Sequence, residues 1–124
     1  MRFLLFILTL QKDEKKKLMT PISDTVEKIK ATAQVAVPAK GSVILYGSHA
    51  RGDAHKGSDW DILILLDKES LSQSDYDNVS YPFVLLGCDI GEEINPILYT
   101  MKEWESYGFT PFYENVKRDG IKIV

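Results

Sequence analysis

Apolar residues recur at helical spacing from Ile22 through Val26, Ile29 and Ala33, with Asp24, Glu27, Lys28 and Lys30 between them. This three-to-four-residue period predicts an amphipathic helix with one buried stripe. Thr20-Pro21 marks its start, a cap followed by proline at the first helical position, and Pro38 bounds its end. The pattern then changes. Val43-Ile-Leu-Tyr46 is an unbroken apolar run between Gly41 and Gly47, as in a strand covered on both faces. Trp60–Leu66 and Ile94–Tyr99 predict a second and a third strand. Between them, Ser70–Leu86 is helical in part, and Pro82, which lacks an N–H, is expected to break or kink it. Met101–Tyr107 predicts a short helix. Thr110-Pro111 repeats the cap-plus-proline signal ahead of Phe112, Tyr113 and Val116, Gly120 ends that helix, and Ile121–Val124 follows as an edge strand. Helices alternating with short strands predict an α/β (α+β) fold, a small mixed β-sheet flanked by helices.

The chain has 124 residues, enough for one core. Residues 21–124 are assigned to that domain and residues 1–20 to an N-terminal extension. Within the extension, Phe3–Leu10 is long enough for a signal-peptide apolar core but too short to span a bilayer. No small-residue cleavage site follows, so neither targeting nor membrane association is expected. The Lys15-Lys16-Lys17 run is expected to be a solvated face. One cysteine, Cys88, rules out an internal disulfide and a multi-cysteine zinc site, and favours the cytoplasm. A net charge of −3 argues against broad nucleic-acid binding and leaves room for a local basic cleft. His49 and His55 lack partners at ligand spacing and are expected at the surface. Trp104, Tyr107, Phe109, Phe112 and Tyr113 are too irregular for a cofactor box; they predict core that extends to a partner-facing patch.

The stretch that carries chemistry runs from Gly47-Ser48 through Ala50-Arg51-Gly52 to Ser58-Asp59-Trp60-Asp61. Glycine lets backbone approach a phosphate, a helix start offers N–H donors, and the Ser48 hydroxyl adds another. Taken alone, Gly-Ser after a strand also fits a plain tight turn. Asp59 and Asp61 flank Trp60 at a strand start, so strand alternation sends both carboxylates to one face. Two such carboxylates repel unless a cation lies between them, and a small set of hard oxygen ligands suits Mg²⁺. A bare Asp-x-Asp is more simply a solvated strand start; the combination of turn, short helix and dicarboxylate strand is what favours a metal–phosphate site.

Gly47, Ser48, Ala50, Arg51, Gly52, Ser58, Asp59 and Asp61 together resemble the signature of the minimal nucleotidyltransferases of the DNA-polymerase-beta-like superfamily. Thr110-Pro-Phe and Asp119-Gly-Ile resemble the closing segment of short bacterial members. The resemblance implies a nucleotidyltransferase fold, with Gly47, Ser48, Arg51 and Ser58 on the nucleotide and Asp59 and Asp61 holding two Mg²⁺ ions. Arg51 has two readings, a phosphate contact or a brace that holds the turn through backbone carbonyls. The family's third carboxylate aligns with Asn95, which cannot act as a base; Glu93, on the same face with a longer reach, is the expected substitute as metal ligand and catalytic residue. The implied activity is transfer of a nucleotidyl group, AMP from ATP, to a hydroxyl. The alternative is a catalytically weakened, antitoxin-like nucleotide-binding module. No residues are expected to remain for an acceptor-presenting second domain. In short bacterial members that role falls to a helical HEPN-type partner, which the transferase modifies.

Overall fold

The computed structural model describes residues 21–124. The Thr20 cap, the Phe3–Leu10 run, the Lys15–Lys17 triplet and the side chain of Ile22 lie outside the described residues. Helix α1 (Pro21–Ala36) buries Ile29 and Ala33 and leaves Asp24, Glu27, Lys28 and Lys30 outside, so the sequence's apolar stripe is the face that packs. Strand β1 (Ser42–Tyr46), the single-turn helix α2 (Ser48–Arg51) and strand β2 (Trp60–Leu66) follow. A helical crossover then runs through α3 (Gln73–Asp75), a π segment (Tyr76–Ser80) and α4 (Tyr81–Ile90) to strand β3 (Ile94–Thr100). Helices α5 (Met101–Ser106) and α6 (Pro111–Asp119) and the short strand β4 (Ile121–Lys122) complete the described chain.

The sheet order is β3-β2-β1-β4. Strand β1 is antiparallel to both neighbours, whereas β2 and β3 are parallel, as a helical crossover requires. Central β2 is covered on both faces, and Ile62, Leu63 and Ile64 are fully buried, each contributing about 1.5–3 kcal/mol of apolar transfer. Alternation splits its side chains between two cores. Trp60, Ile62, Ile64 and Leu66 join Ile29, Val79 and Phe83 on the α1/α4 side. Leu63 and Leu65 pack against Trp104 and Val116 on the α5/α6 side. The odd-numbered side therefore faces α6, which decides where Asp61 emerges.

Pro82 neither breaks nor kinks the crossover at its own position. The π segment immediately before it absorbs the disruption: the Tyr81 N–H reaches back five residues to the Tyr76 carbonyl, and Ser80 Oγ donates to the same oxygen at 2.9 Å. Pro82 thus falls in the first turn of α4, where a missing N–H costs little. Thr100 ends β3 and caps α5 in one residue. Its hydroxyl accepts from the Glu103 N–H at 3.0 Å while its own N–H donates to Glu103 Oε1 at 2.9 Å. Thr110 caps α6 as expected, accepting from the Tyr113 N–H at 3.2 Å.

Gly120 ends α6 as expected, and it does so without a left-handed cap. Its φ is −64°, but a Cβ there would meet the Val116 carbonyl and come within 2.9 Å of Ile44 Cγ2. Only glycine lets α6 turn this close against β1. Beyond β4, Ile123 and Val124 continue bonding to Val43, so the predicted edge segment is paired to its last residue. Among the described residues, no helix is long and apolar enough to cross a membrane.

Candidate functional site

A cleft of about 510 Å³ opens where β1 ends and β2 begins, under the face of α6. Gly47, Ser48, Arg51, Ser58, Asp59 and Asp61 all line it. Six of the seven residues nominated from the sequence therefore meet in one place.

Gly47 turns the chain out of β1 with φ 77° and ψ −158°, a region that residues with a side chain essentially never occupy. Its carbonyl accepts from the Ala50 and Arg51 N–H groups, which closes the single turn of α2. So short a helix has little macrodipole; it offers an anion the local N–H donors of its first turn and the Ser48 hydroxyl. Among the described residues, the Arg51 side chain makes no hydrogen bond to a backbone carbonyl. Its Nε donates to Asp53 Oδ2 at 3.3 Å, and the guanidinium stands at the cleft wall.

Asp61 lies inside the sheet, opposite Tyr46 on β1 and Asn95 on β3. Asp59 and Asp61 leave the α6 side while Trp60, 2% exposed, enters the opposite core. Burial raises the Asp61 pKa above the ordinary aspartate value, and the Asp59 charge adds to it; the Asn95 amide, His49 and Arg51 act in the other direction. Burial, then the charge of Asp61, pushes the Tyr46 phenol up to about 12, so this ring in the cleft wall stays protonated at neutral pH.

Asn95 occupies the position beside Asp61, and its Nδ2 donates to Asp59 Oδ2 at 3.1 Å. An amide in this place gives the Asp59 carboxylate a hydrogen bond but neither takes up nor releases a proton near neutral pH. Glu93 lines an adjoining groove with Asn95 rather than the main cleft. Its carboxyl reaches Asp59, and a shared hydrogen bond together with the Asp59 charge raises its pKa. Among the described residues, no three His, Cys, Asp or Glu side chains converge as a ready metal cage. Asp59 and Asp61 thus offer a two-carboxylate grip, a fit for a hard divalent cation that takes its other ligands from water and phosphate.

Ser58 does more for the turn than expected. Its Oγ accepts the His55 N–H at 2.9 Å and its N–H donates to the His55 carbonyl at 3.0 Å, leaving the hydroxyl proton to donate elsewhere. His55 is exposed as expected. His49 is not: it is half-buried and stacked on Trp60. The sequence reading also missed the far wall of the cleft, which Phe112, Asn115, Val116 and Asp119 build from α6. Their spacing of three, four and seven residues marks one helical face and was the available signal. Asp119 is held below the ordinary aspartate value by its hydrogen bond to Arg118 and, more weakly, by Arg118 and Arg51 charge. Of the expected aromatic cluster, Trp104 is buried against Phe112 and Tyr113, and Phe109 is 87% exposed.

The family profile of the nucleotidyltransferase domain matches residues 22–118. No curated protein matches the chain. A solved toxin-antitoxin structure with AMP-PNP superposes with a TM-score of 0.58 at 19% identity, covering 80% of this chain and 72% of that one. A mutant of the toxin-antitoxin MntA-HpeT gives a TM-score of 0.56 at 16% identity, with 80% and 71% covered. At these identities the likeness is one of fold.

Proposed function

The chain belongs to the nucleotidyltransferase domain family, and from that premise we propose that it transfers AMP from ATP to a hydroxyl of a partner protein, with Mg²⁺ as cofactor. One observation carries the reading. The cleft beside the Gly47-Ser48 turn is lined by the carboxylates of Asp59, Asp61 and Asp119 and, as its one permanent cation among the described lining residues, Arg51. Such a site repels a bare triphosphate and accepts one that arrives with divalent cations.

In this reading the first-turn N–H groups of α2 and the Ser48 hydroxyl hold the triphosphate, and Arg51 contributes one further charge. Asp59 and Asp61 would hold Mg²⁺, two ions in all, which would supply charge neutralisation at the attacking and leaving oxygens. The acceptor hydroxyl oxygen bonds to the α-phosphorus as the bond to the bridging oxygen breaks. Pyrophosphate leaves with that electron pair, and the hydroxyl proton passes to the Glu93 carboxylate. Glu93 fits this role because its carboxylate, beside Asp59, can accept a proton, whereas the Asn95 amide cannot.

Asn95 also supports a second reading. With an amide beside Asp61, the protein would bind nucleotide yet turn it over weakly, acting on its partner by contact, as an antitoxin-like module does.

The proposed partner is a helical HEPN-type protein, a reading supported by the toxin-antitoxin structures that share the fold. Exposed Phe109 and the exposed Tyr81, Val84 and Leu85 of α4 are apolar surfaces suited to it. Pyrophosphate release with ATP and Mg²⁺ tests the acceptor. Release is expected with the co-purifying partner present, and only weakly with a free aminoglycoside. Efficient aminoglycoside modification by the protein alone would overturn the partner and leave the transferase.

A further inference from the structure

The two carboxylates of the cleft are secured in different ways. Asp61 sits in the sheet between Tyr46 and Asn95. Asp59 precedes β2; its carboxylate accepts from Asn95, and its backbone is placed by its flanking residues, Ser58 and Trp60. One side chain grips both. His49, from the single turn of α2, stacks face to face on Trp60, with ring centroids 3.6 Å apart and planes within 8°. Its Nε2 lies 3.1 Å from the Ser58 carbonyl oxygen, an acceptor, so Nε2 carries the proton and donates. Its Nδ1 is buried and has no partner among the described residues. A buried ring nitrogen without a partner is costly, which argues that the ring is held here by its other contacts. Trp60 is fixed in turn: its indole N–H donates to Glu92 Oε2 at 3.3 Å and its backbone N–H to the Glu93 carbonyl at 2.8 Å.

We propose that His49 is a positioning residue that clamps Ser58 and Trp60 and thereby sets the Asp59 carboxylate against the Gly47-Ser48 turn and Glu93. The clamp links three separate stretches of the chain: the phosphate-type turn, the entry to β2 and, through Trp60, the entry to β3. It acts from the core side of the sheet, opposite the cleft, so His49 touches neither substrate nor cation. This role rests on the reading of Asp59 and Asp61 as the cation pair.

Two measurements on the full chain separate the clamp from that reading. The first is amide hydrogen exchange in the metal-free protein. His49→Ala should speed exchange at Ser58 and Trp60 by about tenfold or more, as loss of a local hydrogen bond and stack implies, and leave Leu63 and Leu65 unchanged. His49→Phe, which retains a ring for Trp60, should restore Trp60 protection without restoring Ser58. The second is Mn²⁺ titration followed by relaxation enhancement. His49→Ala should raise the half-saturating Mn²⁺ concentration about tenfold, the scale of losing a residue that orients a metal ligand, whereas Asp61→Asn should abolish the response without speeding exchange at Ser58 or Trp60. Equal Ser58 and Trp60 exchange in wild type and His49→Ala overturns the clamp, as does acceleration that extends equally to Leu63, which would make His49 a general support of the fold. A wild-type protein that takes up no Mn²⁺ overturns the cation pair, and with it the purpose of the clamp, even where the exchange pattern is as expected.

Discussion

Gly47 lies against the carboxylate of Asp61, so close that a Cβ on Gly47 would overlap Asp61 Oδ2. The turn and the carboxylate strand are therefore packed against each other, and the φ of 77° at Gly47 lies in the positive-φ half of the Ramachandran plot, which residues with a side chain rarely adopt. Gly47→Ala should cost about 1–3 kcal/mol from backbone strain alone and displace Asp61 as well. Urea denaturation checks this: the midpoint should fall with the slope unchanged, and an unchanged midpoint would contradict the packing described.

Asp61→Asn separates chemistry from stability. The Asp61 pKa is raised by burial and then by Asp59, so ionising it costs the folded state. The sign follows: this carboxyl favours the fold fully below its unfolded value of 3.8, and that contribution is lost as pH rises through the higher folded value. In the metal-free protein Asp61→Asn should melt higher than wild type at pH 7, with the difference closing toward acid pH. Turnover should fall by about 10²–10³-fold, the scale of losing one transition-state electrostatic contact. Asp59→Asn should match it in turnover. Wild-type turnover in both variants would remove the metal pair from the reaction.

Glu93 and Asn95 divide the catalytic reading from the binding-module reading. Glu93→Gln should remove turnover while ATP still binds, since the amide keeps the shape and loses the proton acceptor. Calorimetric ATP binding beside a pyrophosphate assay reads both. If Glu93→Gln is active and Asn95→Asp raises turnover sharply, the natural protein is a weakened catalyst with an amide in the base position. Absence of turnover in every variant, with ATP bound, favours the contact-acting module.

The strands were legible because each is a short apolar run bounded by punctuation: Gly41 and Gly47 around β1, Asp59 before β2. Period-two alternation alone placed Asp59 and Asp61 on one face and Trp60 on the other, as found. Pro82 misled because the rule against proline in helices concerns the helix interior, while a π segment five residues long moved it into a first turn. His49 was expected at the surface because a lone histidine in a polar loop carries no periodic signal; its stack with Trp60 exists only once α2 folds back on β2. The wall of the cleft was missed for a similar reason. Tyr46 is opposite Asp61 by strand register and Asp119 faces Arg51 across the cleft, relations between segments far apart in the chain.

Isotope position in ATP tests the central claim most directly. The protein, with Mg²⁺ and the partner that co-purifies with it, is incubated in parallel with ATP labelled at the α-phosphate and at the γ-phosphate. Nucleotidyl transfer predicts that the partner acquires α-label, that the γ-label leaves in pyrophosphate, and that Asp61→Asn lowers both by about 10²–10³-fold. Transfer of γ-label to the partner, or α-label transfer that survives Asp61→Asn without Mg²⁺, would contradict it.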